Sequence, residues 1–190
     1  TTTLTAQNVT ANSNEFGNVK GLGYSSGGLL GPTIKVNSGQ SMNVNFVNQL
    51  NDKTNIHWHG LKIPANMDGH PENFINAGGS FNYNFTVNQR AGLYWYHPHA
   101  DGTTGKQVFQ GLAGLVIVND SEETALNLPS GNRELPLVIQ DKRISAGSIL
   151  YAPTMMDQMA GLMGQYILVN GVYAPSHNVE TAKYRVRILN

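Results

Sequence analysis

Four histidines stand in two tight pairs, His57-Trp58-His59-Gly60 and His97-Pro98-His99. Side chains alternate across a β-strand, so imidazoles at i and i+2 share a face, about 7 Å apart at their backbones. Two such pairs on neighbouring strands would concentrate neutral nitrogen donors in one patch. Imidazole suits zinc, copper, iron and nickel, and copper(II) binds most tightly in the Irving–Williams order. A zinc hydratase built on three histidines would leave His97 or His99 without a role. A single-metal site that adds a glutamate four or five residues after the pair finds Ile63 and Pro64 there instead.

The elements that must hold these pairs read as short strands. Residues 41–50 alternate, with Met42, Val44 and Phe46 on one face and Asn43, Asn45 and Asn48 largely on the other. Residues 55–63 carry the first pair, and 92–97 lead into the second. Phe81, Tyr83, Phe85 and Val87 share a face. Residues 108–119 end in Leu115-Val116-Ile117-Val118, apolar throughout as in a strand covered on both sides. Gly60 permits a close backbone approach. Pro98 lacks an amide hydrogen, so the second pair should sit at a strand end. Trp58 and Trp95 should pack around the histidines and shield them.

Strands at this spacing, separated by Gly, Pro and Asn turns, predict an all-β Greek-key sandwich over residues 1–120. Residues 121–134 read as a polar linker. Residues 135–190 read as the incomplete start of a second unit, with strands at 135–140, 166–169 and 184–189. Too few strands follow the linker to close a second sandwich, so the chain is expected to be a piece of a longer protein. Met155, Met159 and Met163 recur at helical spacing and read as core filler, with thioether ligation of copper(I) as the alternative. His177, near Pro175, reads as solvated surface.

Composition narrows the function. Of 190 residues, 13% are charged and the formal net charge is zero, which gives no basic surface for nucleic acid. The longest apolar runs are too short to span a bilayer. There are no cysteines, so disulfides, zinc thiolate sites and a thiolate blue-copper centre are excluded within these residues. The low charge and abundant Asn, Thr, Ser and Gly fit a periplasmic or secreted protein. No leader-like segment opens the chain, so any signal peptide is expected to have been removed or never to have been there.

The motifs resemble the amino-terminal part of multicopper oxidases, a family that includes laccases, bilirubin oxidases and bacterial cuprous oxidases. The resemblance rests on Asn55-Ile56-His57-Trp58-His59-Gly60-Leu61, on Gly92-Leu93-Tyr94-Trp95-Tyr96-His97-Pro98-His99, and on Gly111-Leu112-Ala113-Gly114-Leu115-Val116-Ile117. Gln140-Asp141-Lys142-Arg143 and Leu168-Val169-Asn170-Gly171 extend it into the second unit. It implies a cupredoxin-like sandwich followed by the start of a second cupredoxin domain.

The resemblance also implies roles. His57 would ligate a lone type 2 copper, His59 and His97 one copper of a type 3 pair, and His99 the other. The remaining ligands and the type 1 copper would come from later domains, in the same or a separate chain. Electrons from a small reducing substrate, phenol-like or a metal ion, would pass to dioxygen and give water. Asp68, in Asn66-Met67-Asp68-Gly69-His70-Pro71, matches an acid that relays protons in cuprous oxidases; otherwise it is an Asp-Gly turn. His70 departs from those relatives, and Asp101 is a second acid near the pairs. The rival functions are a copper-binding or electron-carrier module without oxygen chemistry, a zinc-dependent hydrolase or hydratase, and an inactive remnant.

Overall fold

The computed structural model describes residues 1–13, 16–25 and 27–190. The first half of the chain forms two facing sheets. In one, β1 (Thr2–Ser13) lies between β2 (Gly17–Gly23), which runs antiparallel to it, and β4 (Ser41–Asn48), which runs parallel. Strand β6 (Ser80–Thr86) continues that sheet antiparallel to β4. In the other sheet β3 (Ile34–Asn37), β8 (Gly114–Asn119), β7 (Gly92–His97) and β5 (His57–His59) lie side by side. This is the all-β, cupredoxin-like sandwich that the sequence led us to expect. The long first strand was less legible: β1 serves two partners, pairing with β4 over Thr2 to Ala6 and with β2 over Gln7 to Ser13.

Alternation builds the core. Met42 and Val44 point inward from β4 and meet Phe85 and Tyr83 of β6 in register, while Phe46, also buried, stands opposite Phe81, which is exposed. Trp58, Tyr96, Val116 and Val118 close the same core from the opposite sheet. On β8 the alternate residue, Leu115, joins a second apolar cluster with Leu29, Val138 and Leu168. Both faces of β8 are therefore covered, which accounts for its unbroken apolar run.

After β8 the chain forms helix α2 (Ser121–Ala125), capped by Asp120 Oδ1 accepting from Glu123 N at 2.8 Å. The preceding turn of helix, α1 (Thr104–Phe109), occupies part of the segment read as leading into β8. Strand β9 (Glu134–Lys142) then pairs with β14 (Arg185–Leu189) in parallel and with β12 (Tyr166–Val169) antiparallel; β13 (Val172–Tyr173) completes this third sheet. Between them β10 (Ile144–Ser145) and β11 (Ser148–Ile149) return to the first sheet, where Ser148 pairs with Lys20.

Helix α3 (Met155–Ala160) corrects one expectation. Its capping box joins Thr154 and Asp157, as the pattern of a helix start demands, but Met155, Met159 and Met163 are 79%, 81% and 71% exposed. They are not core filler. The helix is only six residues long, ends before Met163, and contributes no residue to either apolar cluster.

Candidate metal centre

The two histidine pairs meet because β5 and β7 are neighbours in one sheet. Their antiparallel register sets His57 opposite His97, Trp58 opposite Tyr96 and His59 opposite Trp95. Directly opposed residues share a face. Trp58 and Tyr96, both fully buried, therefore anchor the strands in the core, while His57, His59, Trp95 and His97 stand on the other side. Strand β5 is shorter than the segment read for it. Ile56 N donates to the Tyr83 hydroxyl at 2.9 Å instead of to a ladder, and Gly60, at φ +86°, turns the chain as Leu61 N bonds Trp58 O. Strand β7 ends at His97, as Pro98 requires, and His99 lies just beyond it.

All four rings converge. Ring centroids lie 5.4 Å apart for His57 and His59, 5.3 Å for His57 and His97, and 5.1 Å for His57 and His99. One nitrogen from each of His57, His59 and His97 falls within 4.8 Å of the others. His59 Nδ1 and His97 Nε2 face each other at 3.1 Å. Two imidazole nitrogens bound tetrahedrally to one ion, each about 2.0–2.1 Å from it, are separated by about 3.3 Å. That pair is already at the spacing of a shared metal.

Hydrogen bonds select which nitrogen is free. His97 Nδ1 donates to Pro98 O at 2.7 Å, leaving Nε2 for the site. His57 Nδ1 lies 2.8 Å from Asp68 O, which leaves its Nε2. Such partners fix the tautomer of a metal-binding imidazole. Burial, and then the surrounding imidazoles, push His97 down to about 4 against the upward pull of its bond to Pro98. His59 is also held below its ordinary value, by desolvation first and then by His57 and His99. At neutral pH both are therefore uncharged, the state a metal needs. The donor set is all nitrogen, which copper accepts readily, so the residues fit the copper implied by the sequence.

Asp68 sits on the His57 side of the site, with Oδ1 3.1 Å from His57 Nδ1. The one hydrogen on that nitrogen goes to the backbone carbonyl, so Oδ1 is buried without a donor of its own. His99 Nδ1 is likewise buried and unpartnered among the described residues. Trp95 stacks on His59 with centroids 5.0 Å apart and lies 4.2 Å from His97, so it packs against both rings, whereas Trp58 is buried in the sandwich core on the opposite face of β5. His70 and Asp101 are exposed; they touch the site loop through Glu72 N to His70 Nδ1 and through Asp101 N to Pro71 O. His177 is exposed, as expected.

The histidine face opens on a cavity of about 660 Å³ shared with β9, where His59, Trp95 and His97 look across at Val138, Gln140 and Lys142. Burial pushes the Lys142 ammonium down to about 8, and it lies 4.8 Å above the Phe109 ring. Sequence reasoning missed Asn55. Its side chain is completely buried beside the site and holds four backbone groups, but those groups are distant in sequence and leave no pattern to read.

A sequence profile of multicopper oxidases matches residues 5–123. The multicopper oxidase mco of Staphylococcus epidermidis is 40% identical over 179 residues, covering 93% of this chain and 38% of its own length. Cell division protein FtsP of Sodalis glossinidius is 33% identical over 167 residues, covering 86% of this chain and 35% of its own. Among solved structures, the laccase-like multi-copper oxidase CueO from Ochrobactrum sp. superposes with a TM-score of 0.92 at 33% identity, over 99% of this chain and 43% of that one. The chain thus spans less than half the length of these relatives. With a profile match over most of its length and the paired histidines gathered at one site, the chain belongs to the multicopper oxidase family.

Proposed function

We propose that this chain supplies half of the imidazole ligands of a three-copper centre that reduces dioxygen to water. His59 and His97 bind one copper of a type 3 pair, His99 the other, and His57 the type 2 copper. The observation that carries this reading is the 3.1 Å approach of His59 Nδ1 to His97 Nε2. Copper, when bound, supplies one-electron redox chemistry and open positions for oxygen. The protein's own part is to present neutral nitrogens, hold their tautomers through Asp68 O and Pro98 O, and screen the site with Trp95. Asp68 Oδ1, free of other donors and beside His57, holds and passes protons to the reduced oxygen.

The remaining ligands and the electron-entry copper come from further domains of the oxidase, since residues 1–190 contain no thiolate. Residues 1–120 form the first cupredoxin domain, 121–134 its linker and 135–190 the start of the second. The electron donor is a small reducing substrate, phenol-like or a metal ion. A periplasmic or secreted setting fits the low charge, and no described helix is long and apolar enough to cross a membrane.

Metal analysis and oxygen uptake test the proposal. The complete oxidase should hold copper and consume oxygen with a reducing substrate, whereas residues 1–190 alone should bind copper without the blue thiolate absorption. Zinc as the tightly held metal, with hydrolytic activity, would favour the zinc-enzyme rival. Copper with no oxygen uptake would favour a carrier module.

A further inference from the structure

We infer that Asn55 is the positioning residue that ties the two histidine pairs and the Asp68 loop into one unit. It rests on the reading of His57 and His99 as metal ligands. The Asn55 side chain is fully buried. Its Nδ2 group donates toward Gly69 O at 3.1 Å, His70 O at 3.1 Å and Asn73 O at 3.3 Å. Its Oδ1 accepts from His99 N at 2.7 Å. One amide thus grips the loop carrying Asp68 with its donors and the segment carrying His99 with its acceptor.

The consequence reaches both histidine pairs. The Asp68 carbonyl that fixes the His57 tautomer belongs to the loop that Asn55 holds, one residue before Gly69. That loop presses directly on the strand entrance: a Cβ on Gly69, at φ +62°, would fall 2.0 Å from Ile56 O. The same Cβ would fall 2.9 Å from His57 N, so the loop lies directly against the backbone that carries the first histidine. His99, past the end of β7, has no ladder bonds of its own, so the bond to Asn55 sets its backbone. Both effects require the side chain to carry donor and acceptor at once, which an amide does and a carboxylate or aliphatic group does not.

The test is nuclear magnetic resonance of the full chain without metal, followed by titration with copper(II). In the unsubstituted chain the His57 ring should carry its hydrogen on Nδ1, and the His99 amide should exchange slowly. Asn55→Ala should mix the His57 tautomers, speed His99 exchange, and weaken copper binding about 10–100-fold. Asn55→Asp should keep the acceptor and lose the donors, so His99 stays protected while the His57 tautomer is lost. Asn48 provides the control, because it too is fully buried and bonds Asp52 O, Ile75 O and Leu50 N away from the site. Asn48→Ala should lower stability yet leave tautomer and copper affinity unchanged. If Asn55→Ala behaves like Asn48→Ala, the inference is overturned. Should Asn55→Ala not fold, an unprotected His99 amide or an Nε2-protonated His57 in the unsubstituted chain overturns it as well. The tautomer arm needs no metal, so an intact tautomer effect with no copper binding would fault the metal reading instead.

Discussion

His57 meets Asp68 twice, through the carbonyl oxygen at 2.8 Å and through carboxylate Oδ1 at 3.1 Å. The two contacts divide the labour between backbone and side chain. The carbonyl takes the Nδ1 hydrogen and orients the ring; the carboxylate is left with lone pairs that no donor fills. Asp68→Asn should therefore leave copper content intact in the complete oxidase and slow oxygen reduction on the order of a hundredfold, the scale of one proton-transfer group. Copper analysis beside an oxygen electrode checks this. Loss of copper would make Asp68 a structural support for the ligands rather than a relay.

Acid should destabilise the metal-free chain. His97 titrates near 4 in the folded protein, chiefly because burial disfavours its charge, against 6.5 for a free histidine. As pH falls through 6.5 the unfolded chain takes up a proton that the folded chain refuses. Stability is therefore full above that point and declines down to about pH 4, by up to about 3 kcal/mol. His59, shifted the same way, adds to the decline. Urea unfolding midpoints at about pH 7 and about pH 4.5 should differ in that sense, and His97→Gln should flatten the difference. A midpoint that rises on acidification would contradict the assignment.

How far the sequence led depended on whether the information was periodic. Strand β4, the inward Tyr83 and Phe85, and the doubly covered β8 all follow from alternation, which a strand imposes on every residue it contains. The first histidine pair was legible for the same reason, since His57 and His59 share a face of β5, whereas His99 lies past the end of β7 and reaches the site through its bond to Asn55. Asn55 was not, because its partners are three backbone carbonyls fourteen to eighteen residues away and one backbone amide forty-four residues away, groups that carry no mark of residue type. The shortness of β5 came from Tyr83 taking the Ile56 amide, a tertiary contact without a local signal. The methionines were misread because the helix stops at Ala160, which leaves Met163 outside it, and because the spacing of Met155 and Met159 does not show that another element covers their face.

The junction between α2 and the third sheet should be a stability hot spot. Glu134 accepts from Arg187 Nε at 2.7 Å and from Lys35 Nζ at 3.2 Å, and Glu123 accepts from Arg187 NH2 at 2.6 Å. The Glu134 and Arg187 side chains are each only 7% exposed. Burial raises the Glu134 carboxyl, but the bonds from Arg187 and Lys35 outweigh it and hold it below its usual range. Glu134→Ala removes one of the two carboxylates that hold the buried Arg187 and leaves Glu123 as the other, so it should cost about 2 kcal/mol. Arg90 and Glu122 form an ion pair that is 82% and 73% exposed, so Arg90→Ala should cost under about 1 kcal/mol. Chemical unfolding of both variants decides whether burial separates them as stated.

Peroxide gives an independent reading of the α3 surface. Met155, Met156, Met159 and Met163 are 79%, 70%, 81% and 71% exposed, while Met42 is 4% exposed inside the sandwich. Sulfoxide formation follows access to the sulfur and damages a protein when the thioether is packed. Brief peroxide treatment of the metal-free chain should therefore convert all four outer methionines, spare Met42, and leave the thermal midpoint almost unchanged. The helix should survive because its anchor is polar: Arg143 holds Asp157 through NH1 at 2.9 Å and NH2 at 2.6 Å, and donates from Nε to Met163 O at 2.8 Å. Peptide mapping by mass spectrometry reads the sites. A large drop in thermal midpoint with Met42 still reduced would mean that the outer thioethers pack against something after all.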